Sequence, residues 1–261
     1  MVNEIANGMD ELALTGGFSS ARVFKVGDTV RRPAGAWTPT LQALLKHLRR
    51  KGFPCPEPLG LDEVRREVVS YLPGRASNWP WPAALLRADG ARQVGALLAR
   101  YHAAVADFAP RRPVWRHGRQ AIAPGEVVLH GDFGPYNLIW TEDRLTGVID
   151  FELARPGGAM EDAGFAVIRA AQLRPDEMTR PPGFETPPDR RERLDAFAAG
   201  FGSTRSELVA AAVAAQRAEV ERIGRLGAAG LEPWAAFHRN GLGEQARAEL
   251  AWIESYAASL V

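Results

Sequence analysis

The chain has 261 residues, 46% hydrophobic and 24% charged, with a formal net charge of +1. That length buries a full core in one large domain or in two small ones around a shared cleft, and the near-neutral balance gives no reason to expect a nucleic-acid or membrane partner. The single cysteine, Cys55, excludes an internal disulfide framework, and one Cys with five scattered His cannot build a structural zinc site.

At the start, Glu4, Asp10 and Glu11 stand where a signal peptide would need an unbroken apolar core. No segment reaches the roughly 20 apolar residues that span a bilayer, so a soluble cytoplasmic protein is expected. From Leu14 to Pro33 the text reads as strands between glycine turns: LTGG, ARVFKVG and DTVRRP. TPTLQALLKHLRRKG predicts a helix, with Leu41, Leu44, Leu45 and Leu48 on one face and Gly52 and Pro54 ending it. Two more strands are expected near Leu59–Leu61 and in EVVSYLP. GRASNWPWP, from Gly74 to Pro82, has the glycine, proline and tryptophan content of a linker.

Beyond it the chain turns helical. ARQVGALLARYHAAVADF places Val94, Leu97, Leu98, Tyr101 and Val105 on one face. EVVLH, LIW and GVID read as short strands, and the remainder as helices: EDAGFAVIRAAQL, RERLDAFAAGF and one long segment from Thr204, which stands in capping-box spacing with Glu207. TRPPGFETPPD, from Thr179 to Asp189, reads either as a flap over the cleft or as a plain surface connection. The seven tryptophans, Trp37, Trp79, Trp81, Trp115, Trp140, Trp234 and Trp252, are too scattered for a ligand cage and fit packing roles. A small strand-rich front and a larger helical back make an α+β, two-lobed plan, divided at residues 1–75 and 76–261 with a hinge near 69–74.

The chemistry concentrates in VVLHGDFGPYNLIWTEDRLTGVIDFELARPGG, from Val127 to Gly158. Asp132 and Asn137 share the loop between two strands, and a hairpin turned at TEDRL brings Asp150 opposite Asn137. Oxygens of Asn137 and Asp150 suit Mg²⁺, a hard cation. Asp132, left free of metal, can receive a hydroxyl proton, which is what phosphoryl transfer requires of a carboxylate. Singly, each of the three is an ordinary turn residue; jointly, strand context and spacing favour the catalytic reading. Gly131 serves the tight turn, and His130 is a buried hydrogen-bonding residue rather than a base.

HGDFGPYNLIW with VIDFELA resembles the aminoglycoside phosphotransferase and small-molecule kinase family, which has a protein-kinase-like fold. The resemblance implies Asp132 as catalytic base, Asn137 and Asp150 as Mg²⁺ ligands, and ATP or GTP as co-substrate. It implies a small antiparallel-sheet lobe for the nucleotide and a mainly helical lobe for a small-molecule hydroxyl acceptor. Glu152 stands where protein kinases have the Gly of Asp-Phe-Gly. In GGAMEDAGFAV, Asp162 would brace the catalytic loop or cap a helix. In GGFSSARVF, Gly17, Ser19 and Ser20 would meet phosphate. Arg31 aligns best with the phosphate-binding Lys of kinases, and Arg32 is the alternative because strand alternation turns only one of them to the cleft. The Ser70 carbonyl and the Leu72 N–H would pair with the adenine edge, with Val69 behind the base and Ile149 also among the nucleotide contacts. One departure stands out: no Asp or Glu lies between Asp28 and Glu57, so the expected helix cannot supply the glutamate that pairs with that Lys. An arginine stays protonated without such a partner. A non-catalytic nucleotide-binding relative is the main rival; a protein kinase is disfavoured by HGD and by the lack of an Ala-Pro-Glu segment after Asp150. Aminoglycosides, choline-like amines, sugars and amino alcohols all remain open as acceptors.

Overall fold

The computed structural model describes residues 11–14, 23–77, 80–116 and 118–261. Strands β1 (Leu12–Ala13), β2 (Phe24–Val26) and β3 (Thr29–Arg32) lead into helix α1 (Thr38–Arg50), followed by β4 (Pro58–Leu61) and β5 (Glu67–Ser70). These strands form one antiparallel sheet in the order β1-β2-β3-β5-β4. The predicted leucine stripe of α1 is fully inside, with Leu41, Leu44, Leu45 and Leu48 at 1% exposure or less. Gly17, Ser19 and Ser20 lie outside the described residues, as does Trp79.

The linker is partly a strand. In it, β6 (Arg75–Ala76) straddles the expected lobe boundary and pairs with the strand that begins at Leu138. Helix α2 (Ala83–Leu86) and the long α3 (Ala88–Val105) follow. All five predicted apolar positions of α3 are buried. After the hairpin β7 (Val114–Trp115) and β8 (Gly118–Arg119) come β9 (Val127–Leu129), β10 (Leu138–Thr141), β11 (Arg144–Val148) and β12 (Arg155–Gly157). The order β11-β10-β6 makes one small sheet, and β12-β9 another. The strand expected to run to Asp150 ends at Val148.

The helical remainder is α4 (Ala159–Ala170), α5 (Arg190–Phe201), α6 (Arg205–Ala228), α7 (Trp234–Arg239) and α8 (Leu242–Leu260). The capping box at Thr204 and Glu207 is present. The segment from Thr204 is three helices rather than one: α6 ends at Ala228, Gly230 takes φ +71°, and Gly241 at φ +77° separates α7 from α8. Pro233, which cannot donate a helical hydrogen bond, reinforces the first break.

The segment 179–189 does not hang over a cleft. The Trp81 N–H donates to the Pro182 carbonyl at 2.8 Å, Phe184 meets Trp81 edge-on at 6.0 Å, and the Arg193 guanidinium covers Phe184 at 5.1 Å. Phe184 and Thr179 are buried, so this is a docked connection and not a flap. The packing expectation for the tryptophans holds for Trp81, Trp115, Trp140 and Trp234, which are buried. Trp37 and Trp252 carry arginines over their faces, Arg116 and Arg190, each at 4.7 Å. Cys55 is buried, and burial pushes its thiol up to about 12, leaving it inert. Among the described residues no helix is long and apolar enough to cross a membrane.

Candidate active site

The loop from His130 to Asn137 is held from below by one carboxylate. Asp162, in the first turn of α4, accepts the His130 N–H at 2.7 Å and the Gly131 N–H at 3.1 Å, one on each oxygen. His102 Nε2 lies 3.5 Å from the same group. Although burial opposes ionisation, these contacts hold Asp162 below the ordinary carboxylate range. Gly131 has φ +78°, and a Cβ there would collide with the Leu153 carbonyl, so the turn needs glycine twice over.

His130 is fully buried, and burial lowers its pKa. Its two ring nitrogens have fixed roles. Nδ1 receives the Asp132 N–H at 3.3 Å, which leaves Nε2 to donate to the Ile149 carbonyl at 3.1 Å. A neutral imidazole therefore ties the loop to the end of the β10–β11 hairpin.

Asp132 is half-buried at the mouth of this loop. Its carboxylate receives the Asn137 amide at 3.0 Å and the Tyr136 hydroxyl at 2.5 Å. Desolvation raises its pKa to about 7; the Tyr136 hydrogen bond and Arg169 work against that shift, while Asp150 and Glu219 add to it. Tyr136 is 38% exposed, so its ring forms part of the open wall beside Asp132.

Asn137 closes a single 3₁₀ turn, Pro135–Asn137, and is 6% exposed. Its Nδ2 also donates to the Asp132 carbonyl at 3.0 Å, which leaves Oδ1 with no hydrogen-bond partner among the described residues. Its backbone carbonyl takes the Ile149 N–H at 2.9 Å, so the next residue, Asp150, is carried to the same place. Asp150 has φ +62° and a half-exposed carboxylate. That left-handed backbone is uncommon for a residue with a Cβ, and it aims the side chain out of the hairpin.

On the front sheet, the strand's alternation decides between the two arginines. Arg31 turns away from Asp150, with Nη1 3.7 Å from Asp62. Arg32 turns inward: Nη1 is 3.4 Å from Asp150 Oδ1, and Nε donates to Glu67 at 2.7 Å. Of the two candidates it is Arg32, the alternative, and not the favoured Arg31, that faces Asp150. Glu67, directly across from Arg32 in the β3–β5 register, is 1% exposed and also accepts the Gln42 amide of α1 at 3.0 Å. The sequence gives no local sign of this partner, because the pairing runs across β3 and β5 and not through the helix.

Of the other expected nucleotide contacts, Val69 is buried in the core, while Ser70 and Leu72 are partly exposed at the end of β5. The Ser70 hydroxyl accepts the Glu57 N–H at 2.8 Å, and the Leu72 N–H has no partner among the described residues. Glu152 is ion-paired with Arg116. Among the described residues no three His, Cys, Asp or Glu side chains converge on one metal position.

Two overlapping stretches, residues 12–123 and 106–208, match the phosphotransferase enzyme family. The chain is 32% identical over 205 residues to the trifolitoxin immunity protein of Rhizobium leguminosarum bv. trifolii, covering 76% of each chain. It is 28% identical over 172 residues to the homoserine kinase of Granulibacter bethesdensis, covering 49% of this chain and 52% of that one. Among solved structures, amicoumacin kinase in complex with AMP-PNP, Ca²⁺ and Ami shares the fold with a TM-score of 0.59 at 11% identity, over 94% of this chain and 87% of that one. The loop braced by Asp162 and the neighbouring Asn137 and Asp150 fall within the matched stretches, which together cover most of the sequence: the chain belongs to the phosphotransferase enzyme family, on a protein-kinase-like α+β fold.

Proposed function

We propose that the protein is a Mg²⁺-dependent small-molecule kinase that moves the γ-phosphate of ATP or GTP to a hydroxyl group. The observation that carries this reading is the hydrogen-bonded frame in which Asn137 grips the Asp132 carboxylate with its side chain and Ile149 with its backbone, next to Asp150. The donor set fits the metal. Asn137 Oδ1 is free, the Asp150 carboxylate is half-exposed, and no third acidic group among the described residues completes a protein cage. Mg²⁺ is ordinarily held this way, by one or two side chains with phosphates and water filling the rest. When bound, it would neutralise charge on the phosphates.

The rest falls to side chains of this chain. Asp132 takes the acceptor's proton as the hydroxyl oxygen bonds to the γ-phosphorus and the bond to the departing diphosphate breaks. A pKa of about 7 suits a general base at neutral pH. Arg32 reaches the phosphates from the front sheet, as a planar fork that no deprotonation switches off. Val69, Ser70, Leu72 and Ile149 border the base, with the free Leu72 N–H as the donor for its edge. The assignment of Gly17, Ser19 and Ser20 to the phosphates rests on the sequence alone, since they lie outside the described residues. His130 and Asp162 support the loop without touching substrate.

The acceptor is a small hydroxylated molecule. The similarity to homoserine kinases puts hydroxy amino acids in the panel beside aminoglycosides, choline-like amines, sugars and amino alcohols. The test is nucleotide consumption across that panel with ATP and with GTP, using Asp132→Asn as control. Turnover with an acceptor that disappears in Asp132→Asn supports the reading. Mg²⁺-independent nucleotide binding with no turnover on any acceptor replaces it with a silent binding module.

A further inference from the structure

In the proposed kinase, the cation that meets the phosphates needs an anchor, and α1 has no acidic residue to offer. Three contacts supply one from elsewhere. Glu67 receives Arg32 Nε on Oε2 at 2.7 Å and Gln42 Nε2 on Oε1 at 3.0 Å, so each oxygen has its own partner. Arg32 reaches onward with Nη1 to Asp150 at 3.4 Å. The Gln42 amide oxygen, Oε1, accepts the Gly60 N–H at 3.3 Å, which fixes the amide's orientation. The chain of contacts is Gly60, Gln42, Glu67, Arg32, Asp150.

From this geometry we infer that Glu67 is a positioning residue for nucleotide phosphates, acting through Arg32, with Gln42 setting its carboxylate. The inference rests on the kinase reading above. Its physical basis is that Glu67 is 1% exposed on β5, directly opposite Arg32 in register, so both groups stand on one sheet. The anchor does not depend on a helix carboxylate swinging into place. α1 contributes a neutral amide that orients the glutamate, and the charge balance of the pair stays within β3 and β5. A buried carboxylate left without these two partners would be costly, so the pairing that holds Glu67 also holds Arg32 in place. Asp150 is half-exposed and shared with the metal position, so it cannot hold Arg32 by itself.

Glu67→Gln keeps the shape and removes the charge. Affinity for Mg²⁺-ATP should fall by at least about tenfold, within the range of couplings between contacting groups. Affinity for adenosine, which has no phosphates, should stay the same. In an Arg32→Ala background the same change should have no further effect on ATP. Gln42→Leu, at the far end of the chain of contacts, should reproduce a smaller version of the ATP-selective loss. Calorimetric titration of folded protein, checked by circular dichroism, measures all four. Equal losses for ATP and adenosine would make Glu67 a purely structural residue, and full additivity with Arg32→Ala would break the link between them; either result overturns the inference. Wild type binding neither ATP nor adenosine would instead remove the kinase reading, and this inference with it.

Discussion

Asp132 is the residue whose chemistry is set most clearly by its surroundings. Its pKa near 7 comes from desolvation, against the pull of Tyr136 and Arg169. As the proposed base, Asp132 works only when ionised, so kcat/KM should rise about tenfold per pH unit below roughly pH 7 and level off above it. Tyr136→Phe removes a hydrogen bond that favours the carboxylate, and the acid limb should move to higher pH. An unmoved limb would assign it to another group. The same shift has a sign for stability. The folded-state pKa lies above the ordinary 3.8, so between about pH 4 and 7 the folded protein holds a proton that the unfolded chain has released. The stability contributed by this proton is present below that window and is lost as pH rises through it. Asp132→Asn, which does not titrate, should therefore melt above wild type at pH 8, with the difference shrinking toward pH 4. Thermal melts at the two pH values check it.

At the scale of elements, the docked 179–189 connection predicts a stability effect rather than a kinetic one. Phe184 fills the space between Trp81 and Arg193, so Phe184→Ala should cost about 3 kcal/mol in denaturant unfolding and leave nucleotide affinity unchanged. A selective rise in acceptor KM without loss of stability would restore the flap. What the sequence makes legible here follows from periodicity and local chemistry. The stripes of α1 and α3 and the cap of α6 are all written within a few turns of chain, and all are in place. The loop bearing Asp132 and Asn137 is legible for the same reason, because both ends of it are strands with short spacing. Cross-strand facts are not. Which of Arg31 and Arg32 faces inward depends on the register of β3 against β5, and Glu67 joins the site only through that register. β12 is three residues long and includes Pro156, so nothing local marks it as a strand until it pairs with β9. The breaks around α7 carry weak local signals, Gly230, Pro233 and Gly241, in a stretch otherwise rich in helix formers.

At the scale of the molecule, the two parts share one core. The leucines of α1 lie in the same buried cluster as Tyr101 of α3 and Phe151 beside Asp150. His47 of α1 is bonded to the Ala104 carbonyl at 2.8 Å, and Lys51 is paired with Asp107 at 2.6 Å. Helix α1 is thereby tied to the end of α3, and β3 reaches Asp150, just beyond the β10–β11 hairpin, through Arg32. Ligand that bridges Arg32, Asn137 and Asp150 binds the folded state alone, so it must raise the unfolding free energy of the whole chain, by about 2.7 kcal/mol at a hundred times its Kd. Mg²⁺ with ATP should therefore raise the melting temperature of wild type more than ATP without metal. Asp150→Asn removes the negative charge of a proposed metal ligand and should lose the metal-dependent part of that rise. Asp132→Asn leaves the Asn137 and Asp150 oxygens in place and should keep the rise, while single-turnover transfer slows by roughly a hundred- to ten-thousand-fold. The two amides thus separate holding the nucleotide from moving its phosphate. If they lose the metal-dependent rise equally, Asp132 belongs with the ligands and the assignment of roles around Asn137 has to be redrawn.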